Sequence, residues 1–165
     1  MEFNFPESFW IIAKQIGNAR TIVNKELLIK NPRYDRGEKN ENVDTIGILG
    51  ELIVLEYLTQ IKQEFEMVKL LDFYPSKTAD FVVKGKRIDV KTSEKSKYLT
   101  LLVNEEAHKK GFDEIDWYWF VYILNKNTAE FYFSNYNEVS KWDCKLMKYT
   151  NAFYNKIENL KLKTE

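Results

Sequence analysis

Residues 79–92, ADFVVKGKRIDVKT, decide how this chain folds. Phe81-Val82-Val83 and Arg87-Ile88-Asp89-Val90 are short β-forming runs separated by Lys84-Gly85-Lys86, so the segment predicts a β-hairpin. With a two-residue turn at Lys84-Gly85, Asp80 stands directly opposite Asp89. Side-chain alternation puts Lys91 on the Asp89 face and leaves Phe81, Val83, Ile88 and Val90 to form a core on the other. A turn shifted by one residue sets Asp80 opposite Lys91 instead and keeps the same groups together. Facing Cβ atoms in such a pair lie ~4.5–5.5 Å apart, where like charges repel.

Upstream, GILGELIVLEYL lies in a helix expected over about 43–61. Gly47, Gly50, Glu51, Val54 and Leu58 fall on one stripe at helical spacing. Each helical glycine costs about 1 kcal/mol relative to alanine, which predicts close packing along this stripe, against the sheet. Glu51 is carried into that contact, and a buried carboxylate must be paired or bind a cation. Glu51, Asp80 and Asp89 are the hard oxygen donors a divalent cation prefers, with the Lys91 amine beside them. The competing picture is a solvent-facing Glu51 and an incidental Asp–Lys surface pair, worth about 0–1 kcal/mol.

Around this centre the chain reads as one mixed α/β domain over 1–165, with a core at about 43–134. A helix is expected over about 6–30, with Pro6 and Glu7 in its first turn and Asn31-Pro32 ending it. The polar stretch Arg33 to Asn42 reads as a loop, and its Arg33, Tyr34, Arg36 and Lys39 are candidates for substrate contact. Strands are expected at Met67–Phe73, ending in a turn at Tyr74-Pro75-Ser76, and at 98–103. Asn104 should cap a short helix through Lys110. Trp117 to Leu124 is a continuous apolar run, the pattern of a strand buried on both faces. Its aromatic residues could stack on bases, but the unbroken run favours core. A further strand is expected at Ala129–Phe133, then helices over about 136–142 and 146–161.

Composition narrows the function. Of 165 residues, 25 are Lys or Arg and 25 are Asp or Glu, so no global field attracts a polyanion. Locally, six cations stand between Lys84 and Lys97 against two anions, a basic patch able to follow a phosphate backbone. Thr92 and Ser93 could donate to phosphate oxygens. Cys144, the single cysteine, has no partner for a disulfide or zinc site, which with no visible signal peptide predicts a reducing, cytoplasmic setting. No apolar run is long enough for a membrane span. His108, the single histidine, reads as a surface or capping residue rather than a general base, and Lys109-Lys110 as a solvated helix end.

GILGELIVLEYL, TADFVV and RIDVKTS, in that order, resemble the PD-(D/E)xK nuclease superfamily, whose restriction-endonuclease-like fold includes archaeal-type Holliday junction resolvases. The matching positions are Glu51, Asp80, Asp89 and Lys91, with Ala79 where the motif has proline. The resemblance implies an α/β fold with a mixed central β-sheet flanked by helices, to which N- and C-terminal helices are added here. It also implies Mg²⁺-dependent hydrolysis of DNA, Mn²⁺ serving as a substitute. Asp80 and Asp89 would hold the ion, Glu51 would add a ligand, and Lys91 would face the phosphate or the attacking water. Lys84, Lys86, Arg87, Thr92, Ser93 and Lys95 are the expected substrate contacts. A two-fold homodimer would suit paired cuts in a duplex. The alternative is a catalytically inactive DNA-binding or protein-interaction domain on the same fold.

Overall fold

The computed structural model describes residues 1–30, 42–67, 79–95, 100–147 and 151–161. In chain order the elements are β1 (Glu2–Asn4), α1 (Phe9–Lys30), α2 (Val43–Gln60), β2 (Phe65–Met67), β3 (Phe81–Val83), β4 (Lys86–Glu94) and β5 (Thr100–Asn104). There follow α3 (Glu105–Lys110), β6 (Trp117–Ile123), β7 (Thr128–Asn135), α4 (Tyr136–Val139), β8 (Asp143–Leu146), β9 (Asn151–Lys156) and α5 (Ile157–Lys161). Six strands form a mixed sheet in the order β1-β7-β6-β4-β3-β2, in which β4 and β6 run parallel. A second, antiparallel sheet has the order β5-β9-β8.

The period-2 pattern of β6 explains the layers. Val121 and Ile123 face one side, where they join Phe81, Ile88 and Phe131 beneath Ile48, Leu49, Leu52 and Ile53 of α2. Tyr118, Phe120 and Tyr122 face the other, packed with Leu101 and Val103 of the second sheet and with Val139, Ile157 and Leu160. The central strand is therefore buried on both faces, as its apolar run requires. Phe81, Val83 and Ile88 are buried on the α2 side, as the hairpin's alternation predicts.

Several expected elements differ. Helix α1 begins at Phe9, and Pro6 only accepts the Phe9 N–H in the turn before it. The preceding Glu2–Asn4 is a strand on the free edge of β7, anchored by Phe3 against Tyr57 and Phe131. The strand expected from Met67 begins at Phe65, and its remainder, like the turn at Tyr74-Pro75-Ser76, lies outside the described residues. So do Arg33, Tyr34, Arg36 and Lys39. Asn104 accepts the Ala107 N–H at 2.9 Å and caps α3 as expected.

The largest correction is at the C-terminus. In place of a helix over 146–161, Leu146 ends β8 and Asn151–Lys156 is a strand, leaving only Ile157–Lys161 helical. The helix expected over 136–142 shrinks to Tyr136–Val139. Phe153 and Tyr154 favour a pleated surface, and β5 supplies the ladder, with Val103 paired to Phe153. That partner is about fifty residues away and invisible to local periodicity. Among the described residues no helix is long and apolar enough to cross a membrane.

Candidate functional site

Strand β4 outruns its hairpin partner. Phe81, Val82 and Val83 pair with Ile88, Arg87 and Lys86, whereas β4 runs on beside β6 to Glu94. This is the register of a two-residue turn, so the shifted alternative is not adopted, and Asp80 lies just ahead of the paired residues of β3. Lys84 and Gly85 both have positive φ, 50° and 73°, as a tight hairpin turn requires. The Asp80 N–H donates to the Ile88 carbonyl at 2.8 Å. At the next rung the Val90 N–H donates to Asp80 Oδ2 at 2.7 Å. A carboxylate thus stands where another strand would have supplied a carbonyl, and it meets the need of a backbone donor.

Helix α2 brings the third acid. A Cβ on Gly50 would come within 1.7 Å of Thr92 Oγ1, so only glycine lets the helix lie this close to β4. The same reasoning fails at Gly47, where a Cβ would meet nothing within 4 Å among the described residues. Glu51, beside Gly50, is 6% exposed, which rules out the solvent-facing picture. Its Oε1 accepts from Arg20 Nη1 of α1 at 3.2 Å.

The electrostatics join the four predicted residues. Burial, and then the Asp89 and Glu51 carboxylates, push Asp80 up to about 7, against the opposing pull of Lys91 and the Val90 N–H. Burial would lower the Lys91 ammonium, but Asp89, Asp80, the hydrogen bond to Asp89 and Glu51 together hold it above the ordinary lysine value. Lys91 forms an ion pair with Asp89 and lies 5.9 Å from the centre of the Tyr118 ring. Among the described residues no three His, Cys, Asp or Glu side chains form a ready metal-ligand group. Instead Glu51 leans on Arg20, Asp89 on Lys91, and Asp80 on a backbone N–H and, near neutrality, a proton. Burial and two neighbouring carboxylates leave Asp80 short of positive charge, and hard oxygen donors such as these three acids are the kind a divalent cation takes.

The expected substrate contacts divide. Lys84, Lys86 and Lys95 are exposed, but the first two lie at the hairpin turn and Lys95 beyond the far end of β4, roughly 30 Å along the strand. The basic patch is therefore spread along the strand rather than gathered at the acids. Ser93 shares the face of Asp89 and Lys91. Thr92 does not: its Oγ1 is buried against Gly50 with no hydrogen-bond partner among the described residues. Arg87 is committed to Asp116, with Nε at 3.1 Å and Nη2 at 3.3 Å from the carboxylate. It clamps the start of β4 to the start of β6.

His108 is not a surface residue. It is 3% exposed and stacks on Tyr136, with ring centres 3.9 Å apart. Nδ1 lies 2.8 Å from the Tyr118 hydroxyl and Nε2 2.8 Å from Ser140 Oγ. Ser140 donates its own proton to the Tyr136 carbonyl, so it accepts from Nε2–H, and Tyr118 donates to Nδ1. Burial lowers the His108 pKa and keeps the ring neutral. Lys109 pairs with Glu105 at 2.7 Å and Lys110 with Glu106, as a solvated helix end would.

Sequence reasoning missed Arg20. Its signal was a glycine and two polar residues, Gly17, Arg20 and Thr21, on one face of a helix interior, the counterpart of the stripe noticed in α2. No protein-family model matches the chain, and no curated protein is significantly similar to it.

Proposed function

We propose that this protein is a Mg²⁺-dependent endonuclease that hydrolyses phosphodiester bonds in DNA, built on a restriction-endonuclease-like fold. The observation that carries this reading is the meeting of Glu51 from a helix with Asp80, Asp89 and Lys91 from a hairpin, at an edge of β4 that no described strand covers. The burial, together with the Asp89 and Glu51 carboxylates, that lifts Asp80 to about 7 supports it. So does the run of β6, the strand expected to complete the core, directly beside Asp89 and Lys91.

Glu51, Asp80 and Asp89 would hold the ion, Mg²⁺ or Mn²⁺ in its place, which would supply Lewis acidity toward water and the scissile phosphate. The protein's own groups do the rest. The Val90 N–H fixes the Asp80 carboxylate, so the acid is aimed before any ligand arrives. Asp89 holds the Lys91 ammonium, whose side chain is 32% exposed, where it would donate to a phosphate oxygen and offset charge as the bond to the leaving oxygen breaks. Because Lys91 is held above its ordinary value, it stays charged throughout the neutral range.

Supercoiled, linear, nicked, single-stranded and four-way-junction DNA, incubated with Mg²⁺ or with EDTA, test the proposal directly. Cleavage is expected with Mg²⁺ alone, and to be lost in Asp80→Asn and Asp89→Ala. Lys91→Ala should lose about 10²–10³-fold, as removal of a preorganised donor does. Unaltered cleavage in the two aspartate variants would sink the assignment. A non-hydrolytic binding or interaction domain is the second reading. One observation favours it: Arg20 and Lys91 already balance two of the three carboxylates from within the chain. Its mark is DNA or protein binding that needs no cation and survives Lys91→Ala.

A further inference from the structure

We propose that Arg20 is the phosphate-binding arm of this site: docked on Glu51, it turns to a phosphodiester oxygen when a divalent cation takes over the charge of that glutamate. The proposal rests on the reading that Glu51, Asp80 and Asp89 hold the cation.

The helix that carries Arg20 is seated, not draped. Gly17, Arg20 and Thr21 share one face of α1 at i, i+3 and i+4 spacing. A Cβ on Gly17 would lie 2.7 Å from the Thr45 backbone, so α1 and α2 touch main chain to main chain there. Thr21 Oγ1 donates to Asp44 Oδ2 at 2.7 Å in the same seam. Between them the Arg20 side chain is 17% exposed and that of Glu51 8%, so water screens their pairing little.

A guanidinium presents five N–H donors in a planar fork. Nη1 donates to Glu51 Oε1, while Nε is buried with no acceptor among the described residues. A buried donor without an acceptor is costly, and the fork matches the two non-bridging oxygens of a phosphodiester. Charge gives the same answer. Among the described residues three carboxylates face two cations, Arg20 and Lys91. Adding a divalent cation leaves a single positive charge, which one phosphodiester neutralises. Without Arg20 that same complex would hold an excess negative charge in a poorly solvated place, and the phosphate would be repelled.

Binding rather than cleavage is the measurement. A short fluorescein-labelled DNA duplex is titrated with protein by anisotropy, in Ca²⁺, which takes the same hard oxygen ligands, and in EDTA. Ca²⁺ binding itself is read separately as the rise in Tm. The parent should bind duplex about tenfold or more tightly with Ca²⁺, the scale of a charge-assisted hydrogen bond. Arg20→Gln should lose most of that gain while its Tm still rises with Ca²⁺. Arg20→Lys, which keeps charge but not the fork, should recover part of the gain, and it supplies the comparison if the glutamine variant does not fold. If these variants keep the full Ca²⁺-dependent gain, Arg20 holds no phosphate although the cation site stands. If neither Tm nor duplex affinity of the parent responds to Ca²⁺, the cation site and the arm fall together.

Discussion

Replacing Asp80 by asparagine should make the protein more stable at pH 8, by a margin that shrinks as the pH falls and vanishes only below about pH 3.8. The folded protein keeps the Asp80 proton up to about pH 7, whereas an ordinary aspartate loses it near 3.8. Raising the pH between those values therefore favours the unfolded chain, because it binds fewer protons there. At ~1.4 kcal/mol per pH unit the full interval sets a ceiling of about 4 kcal/mol. Asp89 and Glu51 relax when their neighbour is neutral, so about half of that, ~2 kcal/mol, is expected from the substitution. Asparagine Oδ1 can still accept the Val90 N–H, so the hairpin is retained. Urea unfolding followed by tryptophan fluorescence, in EDTA, gives the difference between variant and parent across pH 4.5–8.5. A difference that stays flat with pH, or favours the parent at pH 8, would refute the convergence of the three acids irrespective of any enzymatic activity. Mg²⁺ at about a hundred times its Kd should then stabilise the parent by ~2.7 kcal/mol and the variant far less.

Gly50→Ala should destabilise by about 1–3 kcal/mol, read by the same unfolding assay, because its Cβ must displace Thr92 or lift α2 from β4. Cleavage should fall with it, as Glu51 moves away. His108 sets an acid limit: its folded pKa lies below the unfolded value, so stability is lost as pH falls through about 6.5 toward that lower value. His108→Gln should flatten the Tm profile between pH 7.5 and 5.5; an unchanged slope would place the acid sensitivity elsewhere. Arg87→Ala should lower Tm while leaving duplex affinity nearly intact, since Asp116 and not a ligand occupies its guanidinium.

The hairpin, the α2 boundaries, the cap at Asn104 and the buried β6 were all legible in the sequence, because each is set by neighbours a few residues away. Which of two registers the hairpin takes was left open by the sequence and decided by the turn at Lys84-Gly85, whereas Gly50 in a helix interior marks the close contact that Thr92 makes. The C-terminal strands were misread for the opposite reason. NAFYNK carries no decisive local period, and its conformation is set by pairing with β5. His108 was misplaced likewise, since only Tyr118, Tyr136 and Ser140, brought in from other elements, enclose it. Thr92 could donate to a phosphate only from the face of Asp89 and Lys91, and strand alternation turns it to the other face, against Gly50.

By itself, then, the sequence determined which chemical groups the protein owns and how each sits on its own helix or strand, since those properties depend on spacing along the chain. Tertiary structure alone decided how the charges are shared. Arg20 pairs with Glu51 because α1 seats on α2 through Gly17, and Asp80 holds its proton because burial and two other carboxylates act on it together. Such effects depend on distance and dielectric between segments remote in sequence, and neither quantity exists until the chain has folded.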